Sequence, residues 1–559
     1  MMAEAMSQSR YDADVAIVGA GPVGLTLACA LAHHGVRFRI FERKPGPSQD
    51  SKGHDLIARV QELLQSIGVL DVIAAKSYSA LDQQILLDGK PLARLDLRGS
   101  GSPYEACLFN SQGVIEAELA AVLEARGIPV ERGCEIQDIA ADDDGVSVTV
   151  ERTGDDRRSE RFRCRYLVGA DGVKGTVRKA VGLDFETEPM PDWATRQVDA
   201  QLRWQRSTTF DQAWFFLYPG GLAGVMPVWE GVHRLFFIED DKLVPDRDPT
   251  LDEMVARARE VLGDPTFEMS GMIWASHGKF EHGVAPGYGA GRVYLAGDAG
   301  HTTLPIGGQG MNAGMVDAVG LGWRLAMTLA GAAGPVVLDS YGPERQGAHA
   351  ELGDEQVCGF KQLMYRSHLA DVAVGAVASL VPNLAERVFG GMDLTQLSVA
   401  YPDSPLSEDH GPGTLPLVGK AVPAGARAPD ARLVSSDGAD TQLFDWIYNP
   451  DGMSWGWRLL MFDGRETEAH AGLARAAALA SPWPWVRPLR VLAEPGHDAG
   501  GIDGEPFLRD LDGVAHRAYG LDGKPTLVLV RPDGHIAFRC DTTRPERLAA
   551  YCRTIGGDA

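Results

Sequence analysis

The chain has 559 residues, too many for one ordinary hydrophobic core, so two or three domains are expected. Apolar residues make up 45% and charged residues 23%, the balance of a soluble globular protein. A formal net charge of −23 with no basic run argues against nucleic acid or an anionic membrane as partner, because both select a basic face.

In chain order, Asp14–Val18 reads as a short apolar strand, Leu25–Ala32 as a helix that Gly35 ends, and Val36–Glu42 as a second strand. This is a βαβ start. Ser111–Arg126 carries Val114, Ile115, Leu119, Val122 and Leu123 on one helical stripe and stops at Gly127. Val146–Val150 alternates like a strand, and Tyr166–Gly169 reads as a buried one. Between Trp193 and Trp274 aromatic residues cluster and turns at Pro219-Gly220-Gly221 and Glu230-Gly231 separate the runs, the pattern of an antiparallel sheet. Within it, Trp214, Phe216, Tyr218, Met226 and Pro227 are the expected lining of a pocket for a bulky apolar ligand. Arg292–Ala296 returns to a buried strand and Met311–Leu329 to a long helix. The Pro- and Gly-rich stretch Pro402–Arg427 marks a boundary. Beyond it Trp457–Phe462, Leu489–Ala493 and Pro525–Val530 read as strands. Arg531-Pro532-Asp533-Gly534 is a turn leading into a last strand, His535–Arg539.

The 66 glycines concentrate in short motifs rather than in a repeat, which points to tight turns and close approach of backbone to a ligand. Gly19-Ala20-Gly21-Pro22-Val23-Gly24 follows a strand and opens a helix, the context in which GxGxxG binds a dinucleotide pyrophosphate at a helix N-terminus. Glu42, with Arg43 beside it, ends the next strand, where an acid accepts the adenosine ribose hydroxyls. This motif does not separate FAD from NAD. Two further strand ends do: Tyr166-Leu167-Val168-Gly169-Ala170-Asp171-Gly172 and Gly291-Arg292-Val293-Tyr294-Leu295-Ala296-Gly297-Asp298-Ala299. Between His301 and Asn312 a Pro-containing turn runs through Gly307, Gly308, Gln309, Gly310 and Met311 into a helix N-terminus. The exposed N–H groups there suit an anion.

Together these motifs resemble, over roughly the first two-thirds of the chain, the flavoprotein aromatic hydroxylases, the family of para-hydroxybenzoate hydroxylase and phenol hydroxylase. The resemblance implies an α/β fold: a Rossmann-like, glutathione-reductase-like FAD-binding domain at 1–80, 105–190 and 285–400, and an inserted antiparallel β-sheet substrate domain at 81–104 and 191–284. It implies a C-terminal thioredoxin-like α/β domain at 412–559, which lacks CxxC and is therefore assigned packing or dimerisation rather than redox work. It implies that Asp298 bonds the ribityl chain of FAD, that Asp171 lies near flavin and nicotinamide, and that Gln112 touches flavin. The Gly308–Asn312 loop would lie along the isoalloxazine, with Pro305 over the site of oxygen chemistry and Leu304 where most members carry a second proline. Lys52 stands near the place of an Arg that touches the pyrophosphate, keeping the charge without the bidentate fork. Phenol hydroxylases carry a base, an Asp, about where His54 and Asp55 stand, so either is a candidate acceptor of a phenol proton. The Lys524–Pro525 bond is a candidate cis peptide, although trans is the base-rate choice.

The reaction implied is hydroxylation of an aromatic ring: NADPH or NADH reduces FAD, O2 adds to give a C4a-hydroperoxide, and the ring attacks its distal oxygen. The partners expected are therefore O2 and an aromatic small molecule. No metal or protein nucleophile is required. A flavin monooxygenase acting on a non-phenolic substrate is the alternative, and a flavin-binding protein without catalysis a third. The seven scattered cysteines are expected to be free and buried, in keeping with a reducing cytoplasm. The polar start Met1–Tyr11 and the stretch 370–381, interrupted by Asp371, give no leader or membrane span. A monomer or homodimer is expected.

Overall fold

In the computed structural model, residues 10–48, 51–153, 157–206, 212–229, 231–304, 308–364, 395–411, 421–448, 455–464, 469–493, 506–521 and 524–557 are described. Three eight-stranded sheets organise them. The first is built on four parallel strands, Phe38–Glu42, Ala13–Val18, Ser159–Gly169 and Val293–Leu295, in that spatial order. Val15, Ile17, Val168 and Leu295 are fully buried, as apolar strands covered on both faces must be. The register sets Val18 opposite Gly169, and Gly169 opposite Leu295. The three glycine motifs therefore leave the carboxyl ends of three adjacent parallel strands, the place where open α/β sheets bind ligands.

The helices Pro22–His33 and Gln309–Leu329 pack closely against each other beneath this edge. Gly322 permits the approach, since a Cβ there would lie 2.8 Å from that of Ala30. The helix Gln112–Ala125 starts where expected, with the Ser111 hydroxyl accepting from the Val114 N–H.

The second sheet contains the strands Glu188–Arg203, Gln212–Tyr218, Gly221–Trp229, Val232–Asp240 and Glu268–Val284, paired antiparallel as expected. Asp82–Leu87 adds to its edge in parallel with Gln212–Tyr218, and Lys90–Asp96 extends it antiparallel. The helix Leu251–Leu262 covers one face. A Thr250/Glu253 capping box begins that helix and Gly263 at φ 59° ends it.

The third sheet is C-terminal and mixed. Trp457–Phe462 runs parallel to Val486–Leu492 and antiparallel to Thr526–Val530, which pairs antiparallel with Ile536–Asp541. No described peptide bond is cis, so Lys524–Pro525 is trans. The turn Arg531–Gly534 is buried rather than solvated. Arg531 donates to Glu344 (2.7 and 3.1 Å), Trp323 Nε1 to Asp533 Oδ2 (3.1 Å), and Arg59 to the Asp533 carbonyl (2.5 Å). Arg427 adds an ion pair to Glu62, which is itself fully buried. Each of these bonds ties the third sheet or its entry segment to a helix of the first layer. No described helix is long and apolar enough to cross a membrane. Six of the seven cysteines are buried thiols and Cys358 is exposed.

Candidate active site

A cavity of about 710 Å3 runs from the carboxyl edge of the first sheet to the second. At its first end, Gly19 (φ 101°) sits where a Cβ would run into the Ala170 carbonyl, and a Cβ at Gly24 would strike the Gly19 carbonyl. Gly21 has open space instead and lines the cavity together with Pro22 and Val23. Pro22 occupies the first helical turn, where its missing N–H is no loss. The Glu42 carboxylate accepts from the Ala20 and Lys44 N–H groups, both at 2.8 Å, and so is held beside the glycine turn. Arg43 points away toward Glu135 at 3.9 Å and does not line the cavity.

Deeper in, Lys52 and Gln112 line the wall, and Gln112 Oε1 accepts from the Gly53 N–H at 3.1 Å. Asp298 has accessible surface, yet lies deep among protein atoms because it faces the cavity. Burial pushes its carboxyl above the usual range, against the opposing pull of His301 and Lys52. Asp171 behaves differently. Its carboxylate turns back to accept from the Thr176 N–H (2.6 Å) and the Val177 N–H (3.1 Å), capping the short helix Thr176–Ala180. Ala170, Gly172 and Val173 line the cavity in its place.

The helix Gln309–Leu329 points its N-terminus at the cavity, and Gly308, Gly310 and Met311 line it. Gly308 stands at φ 65°, and a Cβ there would collide with the Asp55 carboxylate. Pro305 lies outside the described residues. Gln309 and Asn312 are buried and do not line the cavity. Asn312 instead staples two segments together: Oδ1 accepts from Ile57 N–H (3.1 Å), and Nδ2 donates to the carbonyls of Asp55 (2.9 Å) and Gly308 (2.7 Å).

His54 and Asp55 both line the cavity and are buried. Burial pushes the Asp55 carboxyl up to about 7, while the charge of Arg234 pulls the other way. Burial holds His54 well below the ordinary histidine range, and Arg234 reinforces this. Arg234 is a cavity residue that motif reading passed over; in sequence it is an arginine in the strand Val232–Asp240 with no motif around it.

Behind Asp298, the side chains of His301, Asp317 and His349 converge in a metal-like spacing. The Asp317 carboxylate is already filled, by Arg345 Nε at 2.6 Å, His349 at 2.9 Å and the Gly297 N–H at 2.9 Å. With a guanidinium on the same carboxylate this is a structural ion-pair cluster, not a cation site.

The far end of the cavity is mostly apolar, with Ile85, Leu95, Phe215, Leu217, Leu222, Met226, Phe236 and Phe280, but Gln83, Thr195, Gln197, Lys279 and Glu281 of the same sheet line it too. Of the five residues expected there, only Met226 is present. Trp214, Phe216 and Tyr218 pack with Trp204, Met254 and Ala258 against the helix Leu251–Leu262, and Pro227 is buried away from the cavity. Strand side chains alternate faces, so Phe215 and Leu217 face the cavity when their neighbours face the helix. Both faces of this strand are aromatic or aliphatic, and composition therefore did not distinguish them.

Residues 12–355 match the family model described as FAD binding domain. Over 96% of both chains, the protein is 31% identical to the 12-dehydrotetracycline 5-monooxygenase/anhydrotetracycline 6-monooxygenase of Streptomyces rimosus subsp. rimosus. It is also 31% identical to a dialkyldecalin synthase of Streptomyces rugosporus, over 83% of this chain and 99% of that one. Among solved structures, an anhydrotetracycline hydroxylase from Streptomyces rimosus superimposes with a TM-score of 0.70 at 29% identity, covering 98% of this chain and 99% of that one. The chain belongs to the FAD binding domain family, that of the FAD-dependent aromatic hydroxylases and monooxygenases.

Proposed function

We propose that this protein is an NAD(P)H- and O2-consuming monooxygenase that hydroxylates a polycyclic, phenol-bearing aromatic compound. One observation carries the reading: a single cavity joins the dinucleotide-type glycine turn to an apolar chamber walled by Phe215, Leu222 and Phe236. Its volume, about 710 Å3, is in the range of small-molecule and cofactor sites. The activities for which the tetracycline monooxygenase relative is named point to the same ligand class.

FAD fits the residues present. Gly21 leaves open space for a pyrophosphate, Glu42 is held beside the glycine turn where a ribose would come, and Asp298 offers a carboxylate to the cavity. Gly21–Gly24, Glu42, Lys52, Gln112, Asp298, Gly308, Gly310 and Met311 would hold it. When bound and reduced by NAD(P)H, FAD supplies an electrophilic oxygen atom derived from O2.

The rest is the work of the chain. The N–H groups at the start of Gln309–Leu329 stabilise negative charge at the cavity wall. The apolar chamber excludes water and orients the ring. A phenol with an ordinary pKa of ~10 is protonated at neutral pH, and its ring is more electron-rich once deprotonated. Asp55, with its carboxyl poised at about 7, is positioned to accept that proton. The C-terminal mixed sheet is read as the thioredoxin-like unit, with a packing role.

The test is NADPH and NADH oxidation by the purified yellow protein, with and without a panel of tri- and tetracyclic phenols. A phenol-dependent rate with hydroxylated product is expected. NAD(P)H oxidation that no aromatic stimulates, with no hydroxylated product, would contradict it.

A further inference from the structure

Arg234 is 1% exposed, and its guanidinium is fully engaged. Nε and Nη2 grip the Asp199 carboxylate at 2.8 and 2.9 Å. Nη2 also reaches the Ser51 carbonyl and, at 3.0 Å, the Ser51 hydroxyl. Nη1 donates to the Lys52 carbonyl at 3.0 Å and lies 3.1 Å from His54 Nδ1. The Trp274 ring packs beneath, 4.8 Å from the guanidinium carbon. A residue of the second sheet thus pins the segment that enters the site from the first.

The chemistry of the contact with His54 is one-sided. A guanidinium has donors and no acceptor, so Nδ1 must offer its lone pair and the ring hydrogen must sit on Nε2. The other groups facing the ring agree. The Asp55 carboxylate is 3.7 Å from Nδ1, beyond hydrogen-bond reach, and Phe109 is an apolar neighbour with ring centroids 5.7 Å apart. His54 Nε2 is buried and has no hydrogen-bond partner among the described residues. A buried donor left without an acceptor is costly, which favours a ligand that completes it.

We propose that Arg234 is a positioning residue that fixes His54 as its Nε2–H tautomer. His54 then gives a hydrogen bond to an acceptor oxygen of the cavity's occupant, and proton acceptance falls to Asp55 alone. The tautomer assignment stands on geometry; the division of roles rests on the monooxygenase reading.

The experiment follows the two separately. Long-range proton–nitrogen correlation spectra of FAD-loaded, 15N-histidine-labelled protein, assigned with His54→Gln, should show His54 as the Nε2–H form. It should not titrate across ~5–8, where an ordinary histidine does. Arg234→Lys, which keeps a donor, should preserve that form. Arg234→Met combined with Asp199→Leu removes both buried charges together, and should free Nδ1 so that the ring hydrogen is shared between the two nitrogens, with bound-flavin absorbance reporting that the variant is folded. A parent His54 carrying its hydrogen on Nδ1, or titrating normally, overturns the assignment, as does an Arg234→Met/Asp199→Leu protein whose His54 is unchanged. If that variant loses its flavin, the parent and Arg234→Lys spectra decide. In turnover, His54→Gln keeps a donor but cannot take a proton. It should stay within about tenfold of the parent, short of the ~100-fold or more that loss of a general base costs. A loss as large as that of Asp55→Asn overturns the division of roles while leaving the spectral result intact.

Discussion

Asp55 shows how much a residue's role depends on surroundings that lie far away in sequence. Its burial and its neighbour Arg234 come from different sheets, and between them leave its carboxyl at about 7. An acid raised to that value is a working base only once ionised, so the hydroxylation step should speed up as pH rises through about 7 and level off above. Asp55→Asn should remove this pH limb, slow the step by ~100-fold or more, and divert oxygen to H2O2 while FAD stays bound. Rapid-mixing kinetics across pH check this; an unchanged profile in Asp55→Asn places the proton acceptor elsewhere. The two motif aspartates separate in the same way. Asp298→Ala should weaken FAD binding by about tenfold or more, the ~1.5–3 kcal/mol of a charge-assisted hydrogen bond, as read by flavin fluorescence. Asp171→Ala should instead lower thermal stability by ~1 kcal/mol, the cost of a lost helix cap, with FAD affinity nearly unchanged. Equal effects of the two on affinity would contradict this assignment. Asp-Gly and Gly-Asp at strand ends look alike in sequence. Only the backbone path after each shows that one carboxylate caps a helix and the other faces the cavity.

At the scale of elements, periodicity carried the reading where one pattern was possible. The opening strand, the glycine turn and the helix from Pro22 agree with expectation because apolar spacing, helix start and Gly35 (φ 70°) all point the same way. The helix after Ser111 was legible from an apolar stripe and a stop at Gly127, while the capping Ser111 hydroxyl emerged only in the structure. The strand Gln212–Tyr218 was legible as a strand but not in its facing, because Trp214 through Tyr218 offers bulky apolar groups to both sides. This difference is measurable. Phe215→Ala and Leu217→Ala should raise the KM for the aromatic substrate with modest effect on folding. Phe216→Ala, on the helix-covered face, should cost ~3–5 kcal/mol of stability and leave KM in the surviving folded protein largely unchanged. Denaturant titration alongside steady-state kinetics tests the pair, and the reverse pattern would mean that the other face binds substrate.

The first layer and the C-terminal sheet share an apolar cluster, Trp323, Met327 and Val337 with Trp457 and Trp485, and beside it a set of buried ion pairs. The turn Arg531–Gly534 was recognisable as a turn from Pro532 and Gly534, but nothing local indicates that it would be buried. Its partners Arg59, Trp323 and Glu344 lie roughly 190 to 470 residues away in the chain. Two of the helices it contacts, Ala58–Ser66 and Gln309–Leu329, begin at the walls of the cavity. Truncation after residue 411 would leave Glu62 and Glu344 without Arg427 and Arg531. The shortened chain should therefore fail to fold or to retain FAD, because Glu62 and Glu344 would each keep only one arginine, Arg59 and Arg324, and the apolar cluster of Trp323, Met327 and Val337 with Trp457 and Trp485 would be opened. A truncated protein that is yellow and soluble would contradict that view of the C-terminal sheet. The central claim, that this cavity brings oxygen chemistry to an aromatic ring, is tested most directly by turnover under isotope-labelled O2 with a polycyclic phenol that stimulates NAD(P)H oxidation. One labelled oxygen atom is expected in the product, bound to a ring carbon, and less of it in Asp55→Asn. Product oxygen drawn from water, or a converted product with no added oxygen, would contradict it.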